Sequence, residues 1–152
     1  MTTDRSQDRA SALRQQNHPY CVVCGQANGH GLGLEFRSTA PHVVECTFDC
    51  DRAFEGYPEM LHGGVICAIV DGAMTNCLFA NGHVAVTVEL NVRFHNPVVT
   101  GRVATIKAWI ESSLPPFHVL AGEIEQDGQL VATAKGKFVD KSMLAWTRKR
   151  TV

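Results

Sequence analysis

The sequence has no charge excess and no long apolar stretch, and both absences narrow what the protein can be. Lys and Arg number 14 against 15 Asp and Glu, a formal net charge of −1. No global basic field exists to hold a phosphate backbone, so nucleic-acid binding is not expected. No uninterrupted apolar run reaches ~18 residues, so neither a spanning helix nor a membrane partner is expected. The opening residues, MTTDRSQDRASALRQQN, have no apolar centre of the kind a signal peptide carries. Charged residues make up only 19% and apolar residues 45% of the 152 residues. That balance is wrong for a disordered chain and sufficient for one core. The expectation is one cytoplasmic domain: a polar N-terminal arm over 1–17, a folded domain over 18–140 and a basic tail over 141–152.

Cysteine is not scarce. Without a secretory signal, Cys21, Cys24, Cys46, Cys50, Cys67 and Cys77 are expected as thiols, not as a disulfide framework. Cys67 and Cys77 read as small core residues. Cys46 and Cys50 fall on one face of a strand. Only Cys21-Val-Val-Cys24 has motif spacing. His18 and His30 flank it and complete a Cys2His2 string of the type zinc uses, but the histidines are close in sequence to the cysteines. We read this segment as a structural Cys/Gly loop and expect no metal and no cofactor.

Periodicity sets the architecture. Residues 31–37 and 42–49 alternate apolar and polar, as half-buried strands do. From Gly63 to about Ala80 the apolar residues recur at spacings of three and four, which predicts a well-buried helix closed by Asn81-Gly82. Four strand patterns follow, over 84–94, 102–112, 117–126 and 129–139. Asp127-Gly128 joins the last two as a two-residue hairpin. With no second helix among these strands, the sheet should be mainly antiparallel. The expectation is an α+β hotdog fold, in which one curved antiparallel sheet wraps one central helix.

Two features of that helix carry chemistry. His62-Gly63-Gly64 stands at its start, where backbone N–H groups are free and carry partial positive charge. Such groups can stabilise an oxyanion; a plain tight turn with a hydrogen-bonded histidine would look the same in sequence. Asp71 lies about two turns in, among apolar residues, where a carboxylate is costly unless it is bonded or functional. Burial would raise its pKa, as suits a general base; alternatively it bonds a loop from the sheet. Gly64 and Asp71 are separated by ~10 Å along one helix. One small reacting centre can reach both only if two helices meet around a two-fold axis, which predicts a homodimer with shared sites.

This pattern resembles the hotdog acyl-CoA thioesterases of the phenylacetate-pathway (PaaI-like) type and their mitochondrial relatives. There, an HGG motif opens the central helix and an Asp follows nine residues after the His, as Asp71 follows His62. A Thr sixteen residues later matches Thr87. Cys21, Cys24, Gly25, Asn28, Gly31 and Leu32 match a C-x-x-C-G-x-x-N-x-x-G-L segment of bacterial members. The resemblance implies thioester hydrolysis of an acyl-CoA substrate and pairing of dimers into a homotetramer. It gives Gly63 and Gly64 to the oxyanion turn, with the Gly64 N–H polarising the carbonyl. His62 would position the thioester or the loop, Asp71 would act as base or nucleophile, and Thr87 would orient it. One departure is Gly72, where relatives carry a larger small residue. A mid-helix glycine costs ~1 kcal/mol against Ala, and suits close approach of an acyl group or of the partner helix.

An acyl-CoA-binding hotdog protein without hydrolysis is the alternative, though a pure binder has no need of a buried carboxylate. A hotdog hydratase would place its Asp and His differently. Phe54, Tyr57, Met74, Leu78 and Phe79 are candidates to line an acyl tunnel or to fill the core. Arg93, Arg102, Lys135, Lys137 and the tail Arg148, Lys149 and Arg150 are candidates for the CoA phosphates.

Overall fold

The structure is a computed structural model and describes residues 2–144. Helix α1 (Thr2–Asn17) opens the chain and is followed by the cysteine loop. Strands β1 (Arg37–Ala40) and β2 (Val43–Asp49) come next, then helix α2 (Gly63–Ala80). Strands β3 (Ala85–Phe94), β4 (Val103–Leu114), β5 (Phe117–Gln126) and β6 (Gln129–Asp140) complete the sheet. The six strands lie in the order β1-β2-β4-β5-β6-β3, and every pairing is antiparallel. The sheet packs on α2, giving the hotdog fold expected from the pattern.

The sheet accepts the helix because its inner face is made of small residues at the points of closest approach. A Cβ added at Gly136 would sit 2.7 Å from the Met74 sulfur, and one at Gly122 3.3 Å from the Met74 methyl. Ala104 and Ala108 on β4 and Ala132 and Ala134 on β6 continue that surface, and all are buried. Every residue of α2 from Gly72 to Ala80 is buried, including Met74, Leu78 and Phe79. Although Asp71, Thr75 and Asn76 interrupt its apolar run, the helix has the length and apolar character of a membrane-crossing segment. Two thirds of it (67%) is buried inside the protein, where the sheet takes the place of lipid. Cys77 is buried as expected; Cys67, on the more open side of the helix, is only half-buried.

Two local differences have clear causes. Residues 31–36 alternate like a strand but do not join the ladder, which begins at Arg37. Leu32 and Leu34 donate instead to the Val22 and Val23 carbonyls, at 2.7 and 2.9 Å, so this extended segment backs the cysteine loop. Helix α1 lies against α2 with Ala10 and Arg14 buried. Arg14 Nη1 donates to Asn76 Oδ1 at 3.2 Å, and Asn76 Nδ2 donates to the Gly72 carbonyl at 2.8 Å. The hairpin at Asp127-Gly128 has φ of 52° and 75°, the signature of a type I′ turn.

Candidate active site

The first turn of α2 is built around one histidine. His62 is the N-cap, and its Nδ1 accepts the Gly64 N–H at 2.8 Å. Its own N–H donates to the Phe54 carbonyl at 2.9 Å, so ring and backbone are both fixed. The flanking glycines give the ring its space: a Cβ at Gly64 would lie 3.0 Å from Nδ1, and one at Gly56 3.2 Å from Cδ2. The Gly64 N–H is therefore already engaged. The Gly63 N–H has no acceptor among the described residues, so Gly63 carries the open donor at the positive end of the helix dipole. That differs from the sequence reading, which gave this role to Gly64; spacing alone does not reveal that the preceding side chain caps the second glycine.

Gly63 borders a cavity of about 750 Å³ whose walls include Tyr57, Met60, His62, Ile66 and Phe94. A mostly apolar chamber ending at an unpaired N–H can hold an apolar group and present a carbonyl to that N–H. Of the residues proposed for an acyl tunnel, only Tyr57 lines it. Met74, Leu78 and Phe79 are core, and Phe54 stacks on Phe48 at 5.8 Å between ring centroids. The sequence reading missed Phe94, whose ring would lie 3.6 Å from a Cβ at Gly63. It lies in the strand pattern 84–94, but nothing in the alternation tells which face of that strand meets the helix start.

Asp71 and Thr87 are brought together, with the Thr87 hydroxyl donating to Asp71 Oδ1 at 2.5 Å. A β-bulge makes this possible. Thr87 pairs with Phe138 and Glu89 with Lys137, leaving Val88 as an extra residue on β3. Beyond the bulge Glu89, Asn91 and Arg93 face away from α2 and border a cleft on the outer face of the sheet. Unbroken alternation would put Thr87 on that outer face too; the bulge reverses the parity and aims it at the helix. Burial pushes the Asp71 carboxyl above its ordinary pKa of 3.8, and the Cys21 charge adds to this, while the Thr87 hydrogen bond and His18 pull it back. Its second oxygen has no hydrogen-bond partner among the described residues. The arrangement can hold a carboxylate that is oriented, half-buried and poised to take a proton.

The cysteine loop docks beside this carboxylate. Val23 packs on Gly72, where a Cβ would stand 2.5 Å from Val23 Cγ1. Gly72 is thus explained by the loop of the same chain and not by an acyl group or a partner helix. The loop gathers His18, Cys21 and Cys24 but leaves His30 outside, on the exposed surface. The Cys21 thiol is pushed down to about 3 by hydrogen bonds from Cys24 and His18, against its burial. The Cys24 thiol is pushed up by its bond to Cys21 and by burial.

The candidate CoA cations are mostly engaged with other groups. Arg102 pairs with Asp127 at 2.7 Å, Lys135 with Glu111 at 2.9 Å and Lys137 with Glu89 at 3.3 Å. Arg93 alone of the four makes no ion pair among the described residues. The tail candidates Arg148, Lys149 and Arg150 lie outside the described residues. A further polar constellation was not foreseen. His118 is fully buried; its Nδ1 lies 2.8 Å from Ser113 Oγ and its Nε2 2.7 Å from Asp140 Oδ1. A histidine second in a strand, with its partners across the turn and on β6, leaves no motif spacing to find.

The family model described as the thioesterase superfamily matches residues 59–133, which takes in the helix start, Asp71 and Thr87. Acyl-coenzyme A thioesterase THEM4 of Rattus norvegicus is 29% identical over 84 residues, covering 53% of this chain. This chain spans only about a third of that relative's length (36%). The PaaI protein from the phenylacetic acid degradation operon of E. coli superposes with a TM-score of 0.77 at 20% identity. That superposition covers 92% of this chain and 96% of the other. A hypothetical thioesterase of Streptococcus pneumoniae TIGR4, solved with coenzyme A, superposes with a TM-score of 0.67 at 18% identity over 71% of this chain and 85% of that one.

Proposed function

We propose that this chain belongs to the thioesterase superfamily and hydrolyses an acyl-CoA thioester to free CoA and a carboxylic acid. The observation that carries the reading is the Asp71 carboxylate, held at 2.5 Å by Thr87 inside the apolar helix that starts at the open Gly63 N–H. The CoA-bound relative and the thioesterase THEM4 supply the substrate class. The acyl group enters the cavity beside Phe94 and Tyr57. Its carbonyl oxygen accepts from the Gly63 N–H, where the helix dipole favours the negative charge that develops. His62 keeps that turn rigid by capping Gly64.

Asp71 acts as general base or as nucleophile. As base, it takes a proton from water while the water oxygen bonds to the carbonyl carbon. The tetrahedral oxyanion then expels the CoA thiolate, which recovers the proton from Asp71. As nucleophile, an Asp71 carboxylate oxygen bonds to the carbonyl carbon and the C–S bond breaks to expel the CoA thiolate. Water then cleaves the resulting anhydride to the carboxylic acid and the free Asp71 carboxylate, and the proton released goes to the thiolate. Thr87 orients the carboxylate in either case. Within one helix, Asp71 lies eight residues from Gly63, ~12 Å along the axis, so it cannot serve the oxyanion donor of its own chain. The working site therefore pairs Gly63 of one protomer with Asp71 of the other in a homodimer. Strand β3, which carries Thr87 and Phe94, lies at the sheet edge and is free to receive a second copy. We place the protein in the cytoplasm, where its six free thiols suit a reducing compartment.

The test is thiol release from a panel of acyl-CoAs graded in chain length and aromaticity. Turnover of at least one member is expected. Saturable binding of the panel without thiol release would replace this reading with a non-hydrolysing acyl-CoA binder.

A further inference from the structure

We propose that His18, Cys21 and Cys24 form a binding site for a tetrahedral transition-metal ion, zinc in the cell, against the metal-free loop expected from the sequence. His18 Nδ1 or Nε2 and the two Sγ atoms all lie within 4.8 Å of one another, and Cys24 Sγ stands 4.0 Å from His18 Nδ1. With Zn–S of about 2.3 Å and Zn–N of about 2.0 Å, a tetrahedral ion needs a ligand-to-ligand edge of roughly 3.6 Å. The Cys24–His18 edge closes with a shift of about 0.4 Å, and an edge at the 4.8 Å limit closes with roughly 1.2 Å, which side-chain rotation supplies.

The backbone holds these three groups in place. The Val23 N–H donates to Cys21 Sγ at 3.4 Å, which stabilises a thiolate there. The Gly25 N–H donates to the Cys21 carbonyl at 2.9 Å, and the turn is so tight that a Cβ at Gly25 would lie 2.3 Å from the Cys21 nitrogen. His18 is held edge-on against Phe79, with ring centroids 5.1 Å apart. Two thiolates and an imidazole are a borderline-soft set that selects zinc and rejects magnesium or calcium. The fourth position falls to water. The other cluster with ligating groups, His83, His118 and Asp140, is a poorer site because both His118 nitrogens are already bonded.

The test of this proposal does not use activity, so its failure and the failure of the thioesterase reading are distinguishable. The full chain, without an affinity tag and kept reduced, is analysed for metal after dialysis. About one zinc per chain is expected. Apo protein titrated with cobalt(II) should then show a thiolate-to-cobalt charge-transfer band and the visible bands of a tetrahedral ion. Cys21→Ser should weaken cobalt binding by more than the ~10-fold typical of outer-shell changes, and His18→Ala likewise. Cys67→Ser, outside the cluster, should leave the titration unchanged. If Cys24→Ser misfolds, Cys21 is only half-buried and its variant, checked by circular dichroism, still decides. A reduced, folded wild type that takes up neither zinc nor cobalt overturns the proposal, as does a folded Cys21→Ser that binds like wild type.

Discussion

Asp71 and Asp140 each meet one side-chain donor, yet the two carboxylates sit in opposite circumstances. At Asp140 the partner is His118, whose side chain is 0% exposed and whose second nitrogen is bonded to Ser113. Each nitrogen of that ring has its partner. At Asp71 the partner is an exposed strand threonine, one oxygen stays unbonded, and the helix that carries it begins at the wall of a 750 Å³ cavity. A saturated polar network rigidifies; an oriented but unsaturated group can react. The difference is the ground for proposing Asp71 as the reacting carboxylate, although Ser113, His118 and Asp140 have the composition of a hydrolytic triad.

Substitution should separate the two. Asp71→Asn keeps the shape and the acceptor for Thr87, so thiol release should fall by ~10²–10⁴-fold while acyl-CoA still binds. Asp140→Asn should leave kcat within a few fold; an equal loss at both positions would break the comparison. His118→Ala should act on stability instead. It leaves a cavity and strips Ser113 and Asp140, both part-buried, of their partner, so denaturant unfolding should show a loss of ~3 kcal/mol.

Gly72→Ala probes the loop that packs beside Asp71. Helix propensity alone favours Ala by ~1 kcal/mol. The Val23 contact at 2.5 Å opposes it, and overpacking of this kind costs ~1–3 kcal/mol, so a lower Tm is expected. A higher Tm would mean that the loop does not dock on the helix as described. Thr87→Ala removes one orienting hydrogen bond and leaves the carboxylate, so a kcat loss of ~10-fold is expected, well short of Asp71→Asn.

The smallest effect is on pH dependence. Burial raises the Asp71 pKa, so activity should fall on acidification at a pH above the ordinary 3.8. Cys21, His18 and Thr87 are the groups acting on it. A carboxyl raised on folding binds its proton more readily in the folded state, so its charged form destabilises the protein above that pH. Asp71→Asn should therefore have a Tm equal to or above wild type at neutral pH, with the gap closing as pH falls. A Tm well below wild type would recast Asp71 as a structural group.

The helix over 63–80 and the four later strands were legible because their apolar spacings are set by the same core that buries them. The HGG turn and Asp71 were legible because a carboxylate in an apolar helix has few explanations. Thr87 was legible through family spacing alone, since strand alternation would have turned it outward without the bulge at Val88. Three features could not be read. The engagement of the Gly64 N–H depends on a side-chain rotamer, the purpose of Gly72 depends on a loop some fifty residues earlier, and the His118 network depends on strand register. Each is a tertiary contact with no local periodic signature.

The central claim is that Asp71 of one protomer serves a carbonyl held at Gly63 of the other. Mixing two inactive variants tests it most directly: Asp71→Asn, and Gly63→Val, whose branched side chain grows toward Phe94 and blocks the helix start. With subunit exchange confirmed by mass, about half the dimers in an equal mixture are hybrid, and each hybrid carries one intact site of two. Thiol release should recover to about a quarter of wild type. A mixture of exchanged subunits that stays as inactive as its parents would contradict the shared site.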